Sequence, residues 1–234
     1  MTFEDALAYP RERDDWVMTI LIGGVLTLFG VLLIPAILVY GYVIRAVRDS
    51  LEGETEPPKF EEWGELFVDG IQAFVVGLSY MLVPLVVMGV TVGGSLVAIA
   101  TGSEAGAAAG LAGLFGGLAI TAVLSLVFGY VAVAALVNFA KEGSLSAAFD
   151  FGTIRAVALD GDFAVAWATS IIVFLGAGVV VGVLNAVPLL GTVLGAFVFF
   201  YADVVAANLW ADGFAQATES QREAGSFGTG EAAV

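Results

Sequence analysis

The chain has 234 residues, of which 59% are hydrophobic and 13% are charged, and its mean hydropathy is +0.97. Soluble globular proteins carry about 45–50% apolar and about 25% charged residues. The apolar fraction of this chain is higher and its charged fraction is lower, as a lipid-facing surface requires. The net charge of −15 is opposite in sign to that of nucleic-acid-binding proteins and excludes that class. The lack of cysteine and histidine excludes disulfides, haem, Fe–S and Cys/His zinc sites, and His-activated nucleophiles. Composition therefore predicts an all-α integral membrane protein that is not an enzyme and uses no cofactor.

Hydrophobic blocks divide the chain and predict a bundle of about five or six membrane segments. Each block is close to, or longer than, the roughly 20 residues that cross a bilayer. Together they predict one membrane-embedded helical domain over residues 1–213, followed by a disordered acidic tail over residues 214–234. In chain order the blocks are Trp16–Ile44, Ile71–Ala100, Leu111–Val137, Phe163–Val187 and Leu189–Ala211.

Block one is long for one span and short for two. It contains Gly30 and Pro35, which favour an interruption of the helix. A single span would place Arg11 and Arg13 outside the cell, whereas a broken or re-entrant hairpin would place all basic residues on one side. Both alternatives stay open here, with a preference for the hairpin.

A weak internal repeat links the two long polar loops. The stretches Phe60–Gly70 and Phe151–Gly161 have equal length, apolar residues at matching positions and a common Asp-Gly ending. Each follows a block that contains Gly-Tyr, at Gly41 and Gly129. The pattern predicts two interfacial amphipathic helices in a duplicated unit, and chance similarity is the alternative.

The topology follows from the repeat and from the basic residues. Blocks two and three take the chain out and back, so both long loops lie on one side of the membrane. That side and the tail carry basic residues, whereas the two short connections carry none, which predicts cytoplasmic loops and a cytoplasmic C-terminus in the cell membrane. The basic residues counted are Arg45, Arg48, Lys59, Lys141, Arg155 and Arg222.

Asp203 is the strongest candidate for a chemical role, because it is the one acid inside a hydrophobic block. An ionisable group at membrane depth suggests a proton or cation site by default. Asn138, Asn208 and Tyr201 are its predicted neighbours. The alternative is a protonated or hydrogen-bonded carboxyl group with a structural role.

Two pairs of glycines are spaced four residues apart within the blocks. They are Gly113 with Gly117, and Gly178 with Gly182. Small residues at this spacing let membrane helices approach closely, so both pairs predict close helix packing.

Several stretches carry a resemblance to a known family, above all PAILVYGY and WGELFVDG. Together with ALAYP, LIGGVLTL and VPLLGTVLGAFVFFY, they resemble the archaeal membrane proteins grouped as domain of unknown function 4013, over nearly the whole chain to about Gly213. The resemblance implies an integral membrane protein of halophiles with no assigned activity and no catalytic residues to transfer. An acidic, lysine-poor surface agrees with a salty cell interior.

Two functions follow from these features. The leading hypothesis is a non-enzymatic membrane scaffold, assembly or organising component, which uses the two amphipathic elements beside nearly apolar spans. The alternative is a small transporter or channel that uses the Pro/Gly-broken helices and Asp203. Besides the lipid bilayer, the partners left open are another membrane protein and a second copy of the chain.

Overall fold

Helices make up nearly all regular structure in the computed structural model, which describes residues 2–230 and all their side chains except 188 and 224–230. This range contains eight α-helices, and short 3-10 segments at Tyr9–Arg11, Gly30–Leu32 and Leu145–Phe149. The all-α prediction is therefore confirmed for the described residues. The helices are α1 (Phe3–Ala8), α2 (Trp16–Leu28), α3 (Ile34–Leu51), α4 (Trp63–Ala100), α5 (Glu104–Glu142), α6 (Phe151–Ala158), α7 (Gly161–Leu184) and α8 (Pro188–Gly230).

Four of these helices, α4, α5, α7 and α8, are long and apolar enough to cross a membrane. The shortest, α7, has 24 residues. At a rise of 1.5 Å per residue it is about 36 Å long, which exceeds a hydrocarbon thickness of about 30 Å. The four helices correspond to predicted blocks two to five and indicate a multi-pass membrane protein.

Block one is divided into α2 and α3. With 13 residues, α2 is about 20 Å long and too short to cross the hydrocarbon region. The turn between the helices includes Leu33, whose φ of 59° is left-handed. The start of α2 and the end of α3 lie close together, since the Ser50 hydroxyl near the end of α3 donates to the hydroxyl of Tyr9, which precedes α2, at 3.2 Å. The structure therefore has the broken hairpin, and Pro35 lies in the first turn of α3, where it does not disrupt the helix.

The described chain forms two compact units. Unit 1 comprises Met1–Phe74 and Ala134–Val234, and unit 2 comprises Val75–Val133. The prediction of one domain over residues 1–213 is not tested by this division and stays a prediction.

In unit 1 two glycines bring the backbones of α3 and α4 into contact. A Cβ atom on Gly41 would lie 1.8 Å from the Leu66 carbonyl oxygen, and one on Gly70 would lie 1.9 Å from the Ile37 carbonyl oxygen. Any side chain at either position would force the helices apart. These glycines belong to the Gly-Tyr and Asp-Gly elements of the predicted repeat.

The two stretches of the repeat form different structures. The second stretch forms the separate helix α6, because Asp150 caps its start and Asp160 caps the start of α7. In the first stretch Asp69 instead pairs with Arg48 at 3.0 Å, and the helix continues unbroken into α4. The prediction of two interfacial helices is therefore wrong for the first stretch.

Phe60 of the first stretch is buried against α3, whereas Trp63 of the same stretch is exposed. Phe60 precedes α4, is 8% exposed and stacks on Tyr42 with 4.3 Å between ring centroids. Trp63 stacks on its other side at 5.7 Å, and the Tyr42 hydroxyl donates to the Pro58 carbonyl at 3.0 Å. These contacts hold the end of the first loop against α3.

Helix α8 packs against both halves of the hairpin and against α7. Its Phe200 and Phe197 rings occupy the spaces above Gly23 and Gly24 of α2. The helix continues through Gly213 to Gly230, and Phe214 is fully buried beneath the Lys141 ammonium group. The disordered acidic tail over residues 214–234 stays a prediction. The predicted tail residues 231–234 lie outside the described residues.

Unit 2 is an antiparallel pair formed by the C-terminal part of α4 and the N-terminal part of α5. Gly102, with φ of 69°, lies in the short turn between them. Cβ atoms on Gly113 and Gly117 would lie 2.6 Å from the Ser95 hydroxyl and 2.4 Å from the Thr91 Cβ, respectively. Close helix packing at this pair is therefore confirmed.

The other predicted pair does not mediate packing in the structure. Cβ atoms on Gly178 and Gly182 would have no heavy atom of the described residues within 4 Å. Their face of α7 is open, so the packing prediction for this pair is wrong within the chain. The spacing is the same in both pairs of glycines. The pairs differ because a neighbouring helix packs against the first pair and none of the described helices packs against the second.

Candidate polar site on helix α8

Asn208 is almost fully buried and belongs to a chain of hydrogen bonds that links three elements. Its Nδ2 group donates to the Ser50 hydroxyl at 3.1 Å, and Ser50 in turn donates to the Tyr9 hydroxyl at 3.2 Å. Asn208 Oδ1 is buried and has no partner among the described residues. The amide therefore ties α8 to the hairpin and retains one free acceptor.

Tyr201 and Asn138 both fasten other segments. The Tyr201 hydroxyl donates to the Leu7 carbonyl at 2.5 Å, which holds α1 against α8. Asn138 is 3% exposed, and its Nδ2 group donates to the Ala147 carbonyl at 2.9 Å. That bond closes the second long loop back onto α5. Each side chain thus has a specific structural contact.

Asp203 is the member of the predicted set without such a contact. It is partly buried, and among residues 2–230 its carboxylate makes no hydrogen bond or ion pair. The Tyr40 phenol on α3 lies within electrostatic range of Asp203. A carboxylate at this position is costly in lipid unless it is protonated or wetted.

The four predicted residues do not form one site. Tyr201 and Asn208 are seven residues apart on α8 and share a face, because seven residues are about two turns. Asp203 lies about 140° around the helix from Asn208, towards Tyr40 rather than Tyr9. Asn138 lies on α5 and contacts its own loop. The prediction that these neighbours surround Asp203 receives no support from these contacts.

Three arginines organise what we call the polar end of unit 1, which comprises residues 9–15, 45–62 and 138–150. Arg13 donates to the Pro57 carbonyl at 2.6 Å, and Arg45 donates to the Glu61 carbonyl at 2.9 Å. Arg48 pairs with Asp69 at 3.0 Å and also donates to the Ala140 carbonyl at 3.2 Å. The N-terminal segment and both long loops therefore meet at one end of the unit.

Burial perturbs two titratable groups at the polar end. It raises the pKa of Tyr9 to about 12, against an opposing hydrogen bond from Ser50. It also raises the pKa of Asp49, and the nearby carboxylate of Glu52 adds to that shift. Tyr9 is therefore a neutral hydrogen-bonding group throughout the physiological range.

A cavity of about 410 Å³ lies beside Asn208 and was not predicted from the sequence. Tyr9 and Ser50 form part of its wall, and the carboxylates of Asp5, Glu12, Glu54 and Asp212 also line it. The acidic residues come from three chain segments, so no sequence spacing could have identified the cavity. One signal was present, since Asn208 is a polar residue within an apolar helix.

The carboxylates of the described residues do not assemble into a recognisable metal centre. Among residues 2–230 there is no group of three or more His, Cys, Asp or Glu side chains placed to hold a metal ion. The acidic cavity therefore differs from calcium and magnesium sites, in which several oxygen ligands converge on the ion.

Comparison with known proteins identifies a family. No curated protein and no solved structure matches the chain. The model of a family described as "Protein of unknown function (DUF4013)" matches residues 16–186. The matched region runs from α2 through α7 and stops before α8, so it is shorter than the resemblance to Gly213 predicted, and it leaves out Tyr201, Asp203 and Asn208. Because it covers well over half of the chain, the protein belongs to the DUF4013 family.

Proposed function

We propose that the protein is a non-enzymatic membrane scaffold whose polar end holds a partner or organises an assembly at the membrane surface. The observation that carries the proposal is the use of arginine side chains to bind backbone carbonyls across the loops of the polar end. Such bonds fix loop conformation in advance, and a preorganised surface loses less conformational entropy when it binds. The spans below this surface attach it to the bilayer.

Helix α6 is the element that best suits contact with a partner. Its Ile154 and Val157 side chains are buried, whereas Phe151 at its start and Leu159 directly after its end are 66% and 76% exposed. Arg155 is also exposed. An amphipathic helix that presents aromatic, aliphatic and basic side chains together can bind either a protein surface or the lipid interface.

Site-specific photocrosslinking in cells distinguishes a scaffold from an isolated bundle. A photoreactive phenylalanine analogue at Leu159 tests α6, and the same analogue at Leu189, which is 83% exposed at the start of α8, is the control. We expect discrete protein adducts from position 159 and none from position 189. The same adduct from purified protein alone would identify the partner as a second copy, and lipid-only adducts at both positions would refute the scaffold.

A transporter or channel is the second candidate, and Asp203 is the observation that favours it. Broken membrane helices with a nearby acid form substrate and ion sites in transporters, and Asp203 lies beside the broken hairpin through Tyr40. Flux of protons and monovalent cations into reconstituted vesicles tests this function. Loss of flux in Asp203→Asn would support transport. Equal flux through the native protein and the variant, or no flux through either, would refute a transport site at Asp203.

We further infer that the polar end faces the cytoplasm of a cell with a salty interior, because basic residues gather at this end and the net charge is −15. Single cysteines at Thr2, Glu54, Ser103 and Ser144 test the orientation, since the native chain has no cysteine. An impermeant reagent on intact cells should label position 103 alone. Stability that rises with KCl from 0.1 M to the molar range would support the salty interior.

A further inference from the structure

Two helical hairpins of unit 1, α2–α3 and α7–α8, turn at the same end of the unit. Along α8, Asn208 bonds to α3 at the polar end, whereas Phe200, two turns nearer the start of α8, lies over Gly23 of α2. Helix α2 starts next to the polar end, so it runs antiparallel to α8 and its turn comes near the start of α8. We call the two turns, residues 30–34 and 184–190, the apolar end of unit 1.

Exposed apolar side chains cover this end. No Asp, Glu, Lys or Arg occurs in residues 16–44 or 163–202. Val31 and Leu189 are 92% and 83% exposed. Five other large apolar residues of the two turns are exposed as well, namely Leu32, Leu33, Ile34, Val187 and Leu190. An exposed apolar surface of this kind is typical of contact with lipid or with a partner rather than with water.

Internal hydrogen bonds pair polar groups in both turns. In the first turn the Leu32 and Leu33 amides donate to carbonyls three residues earlier, at 2.9 and 3.1 Å. In the second turn the Ala186 and Val187 amides do the same, both at 3.1 Å. Asn185 is the one residue of the two turns with a polar side chain, and its Nδ2 group donates to a carbonyl of α7 at 3.0 Å. Polar groups paired within the chain need no water, which is the condition for backbone inside a bilayer.

Three tryptophans near the polar end mark how deeply the hairpins enter the membrane. Trp16 begins α2, and Trp167 lies in the second turn of α7. The Ser170 hydroxyl donates to the Trp167 carbonyl and accepts from the Trp210 ring. Tryptophan is enriched at the membrane–water interface, so these side chains define the interfacial layer.

Both hairpins are too short to reach water on the opposite side of the membrane. From the tryptophan layer, α2 with its 3-10 turn extends about 26 Å, and α7 extends about 26 Å to Leu184. A bilayer with its headgroups is about 40–45 Å thick. The two turns therefore end within the hydrocarbon of the opposite leaflet, the one farther from the polar end.

We propose that acyl chains of the opposite leaflet cover the apolar end, so that unit 1 contacts water only at its polar end. Lipid is the occupant that these observations favour, because the turns lie at the depth of acyl chains and offer a partner no charge. The turn between α4 and α5 in unit 2 is different, since Thr101, Ser103 and Glu104 place exposed polar groups there. Any ligand that enters unit 1 from water then enters from the polar side. This inference does not depend on the scaffold role.

Spin-label accessibility of the purified full-length protein in phosphatidylcholine vesicles tests the proposal, since the native chain has no cysteine. A nitroxide at Val31→Cys probes the first turn, and one at Ala186→Cys probes the second. Oxygen concentrates in hydrocarbon and a neutral nickel chelate concentrates in water, so oxygen collisions should exceed nickel collisions several-fold at both positions. Val25→Cys, on the exposed face of α2, is the lipid control. Ser103→Cys, in the short turn of unit 2, is the matched control and should show the reverse ratio.

Each hairpin has its own variant, and all four labelled positions are exposed, so the fold should be retained. A nickel-dominated ratio at Val31→Cys or Ala186→Cys, as at Ser103→Cys, would show that the turn reaches water and would overturn the proposal. Low collision rates with both reagents, together with spin–spin broadening, would show that a second copy covers the apolar end. That result would also overturn the proposal.

Discussion

Substitution of Gly41 by alanine tests the backbone contact between α3 and α4. The new Cβ atom would lie 1.8 Å from the Leu66 carbonyl oxygen and 2.7 Å from its carbonyl carbon. Real Cβ contacts are not found below 3.0 Å, so the helices must separate by more than 1 Å at this point. The obstacle is backbone, and no rotamer change can relieve it.

The expected loss of stability follows from two opposing effects. Overpacking in a well-packed core costs about 1–3 kcal/mol, and a backbone obstacle places Gly41→Ala at the upper end. Alanine is a better helix former than glycine by about 1 kcal/mol, which offsets part of the cost. We expect a net loss of about 2 kcal/mol, equivalent to a decrease in Tm of about 4–8 °C for a chain of this size.

Thermal unfolding of the purified protein in detergent, followed by circular dichroism, measures the effect. Gly77→Ala is the matched control, because Gly77 lies in α4 and a Cβ there has no heavy atom of the described residues within 4 Å. It should raise Tm slightly through helix propensity alone. Since Gly41 and Gly70 share one interface, the double alanine variant should lose less than the sum of the single losses. Equal Tm values for Gly41→Ala and Gly77→Ala would refute the close contact.

Three further predictions concern the polar end and α6. The pKa of Asp49 is raised by burial and then by Glu52. The stability that Asp49 contributes is therefore present below its ordinary pKa and is lost as pH rises through the raised value. In a thermal-unfolding series, Asp49→Asn should increase Tm at pH 7 and flatten the decrease of Tm from about pH 4 to 7. Arg48→Met removes the 3.0 Å pair with Asp69 and the 3.2 Å hydrogen bond to the Ala140 carbonyl. The free energy of unfolding measured with denaturant should fall by about 1–3 kcal/mol. Arg48→Lys should restore less than half of that loss, because one ammonium group replaces the planar guanidinium group. Asp150→Ala removes the N-cap side chain that accepts from the Gly152 and Thr153 amides. Amide hydrogen exchange measured by mass spectrometry should therefore accelerate in α6 and stay unchanged in α7. Faster exchange in both helices, or in neither, would contradict a cap that stabilises α6 alone.

Hydrophobic blocks identified the spans because the signal for a membrane helix is local. About 20 consecutive apolar residues suffice to predict one, and α4, α5, α7 and α8 each contain such a run. The interruption near Gly30 and Pro35 was likewise a local signal, since both residues disfavour a continuous helix. The ends of helices were predicted less well, because the polar turns of α8 beyond Gly213 are held by tertiary burial of Phe214.

The candidate site at Asp203 stays a prediction. Its predicted neighbours were chosen by residue type and lie on other faces of α8 or on another loop. Asn208 proved to border the acidic cavity, whose remaining residues come from α1, the 3-10 segment after it, and the end of α3. Sequence spacing carries no information on contacts such as Asn208 with Ser50, which are 158 residues apart.

The sequence by itself determined the helical class, the helices long and apolar enough to cross a membrane and the family, because apolar composition and run length are properties of consecutive residues. Only the tertiary structure decided which glycines mediate packing: Gly113–Gly117 faces Ser95 and Thr91, and Gly178–Gly182 faces no described neighbour. It also decided that Asp69 pairs with Arg48 while Asp160 caps a helix. The physical reason is that the role of a small or charged side chain depends on what lies across from it, and distant segments supply that neighbour.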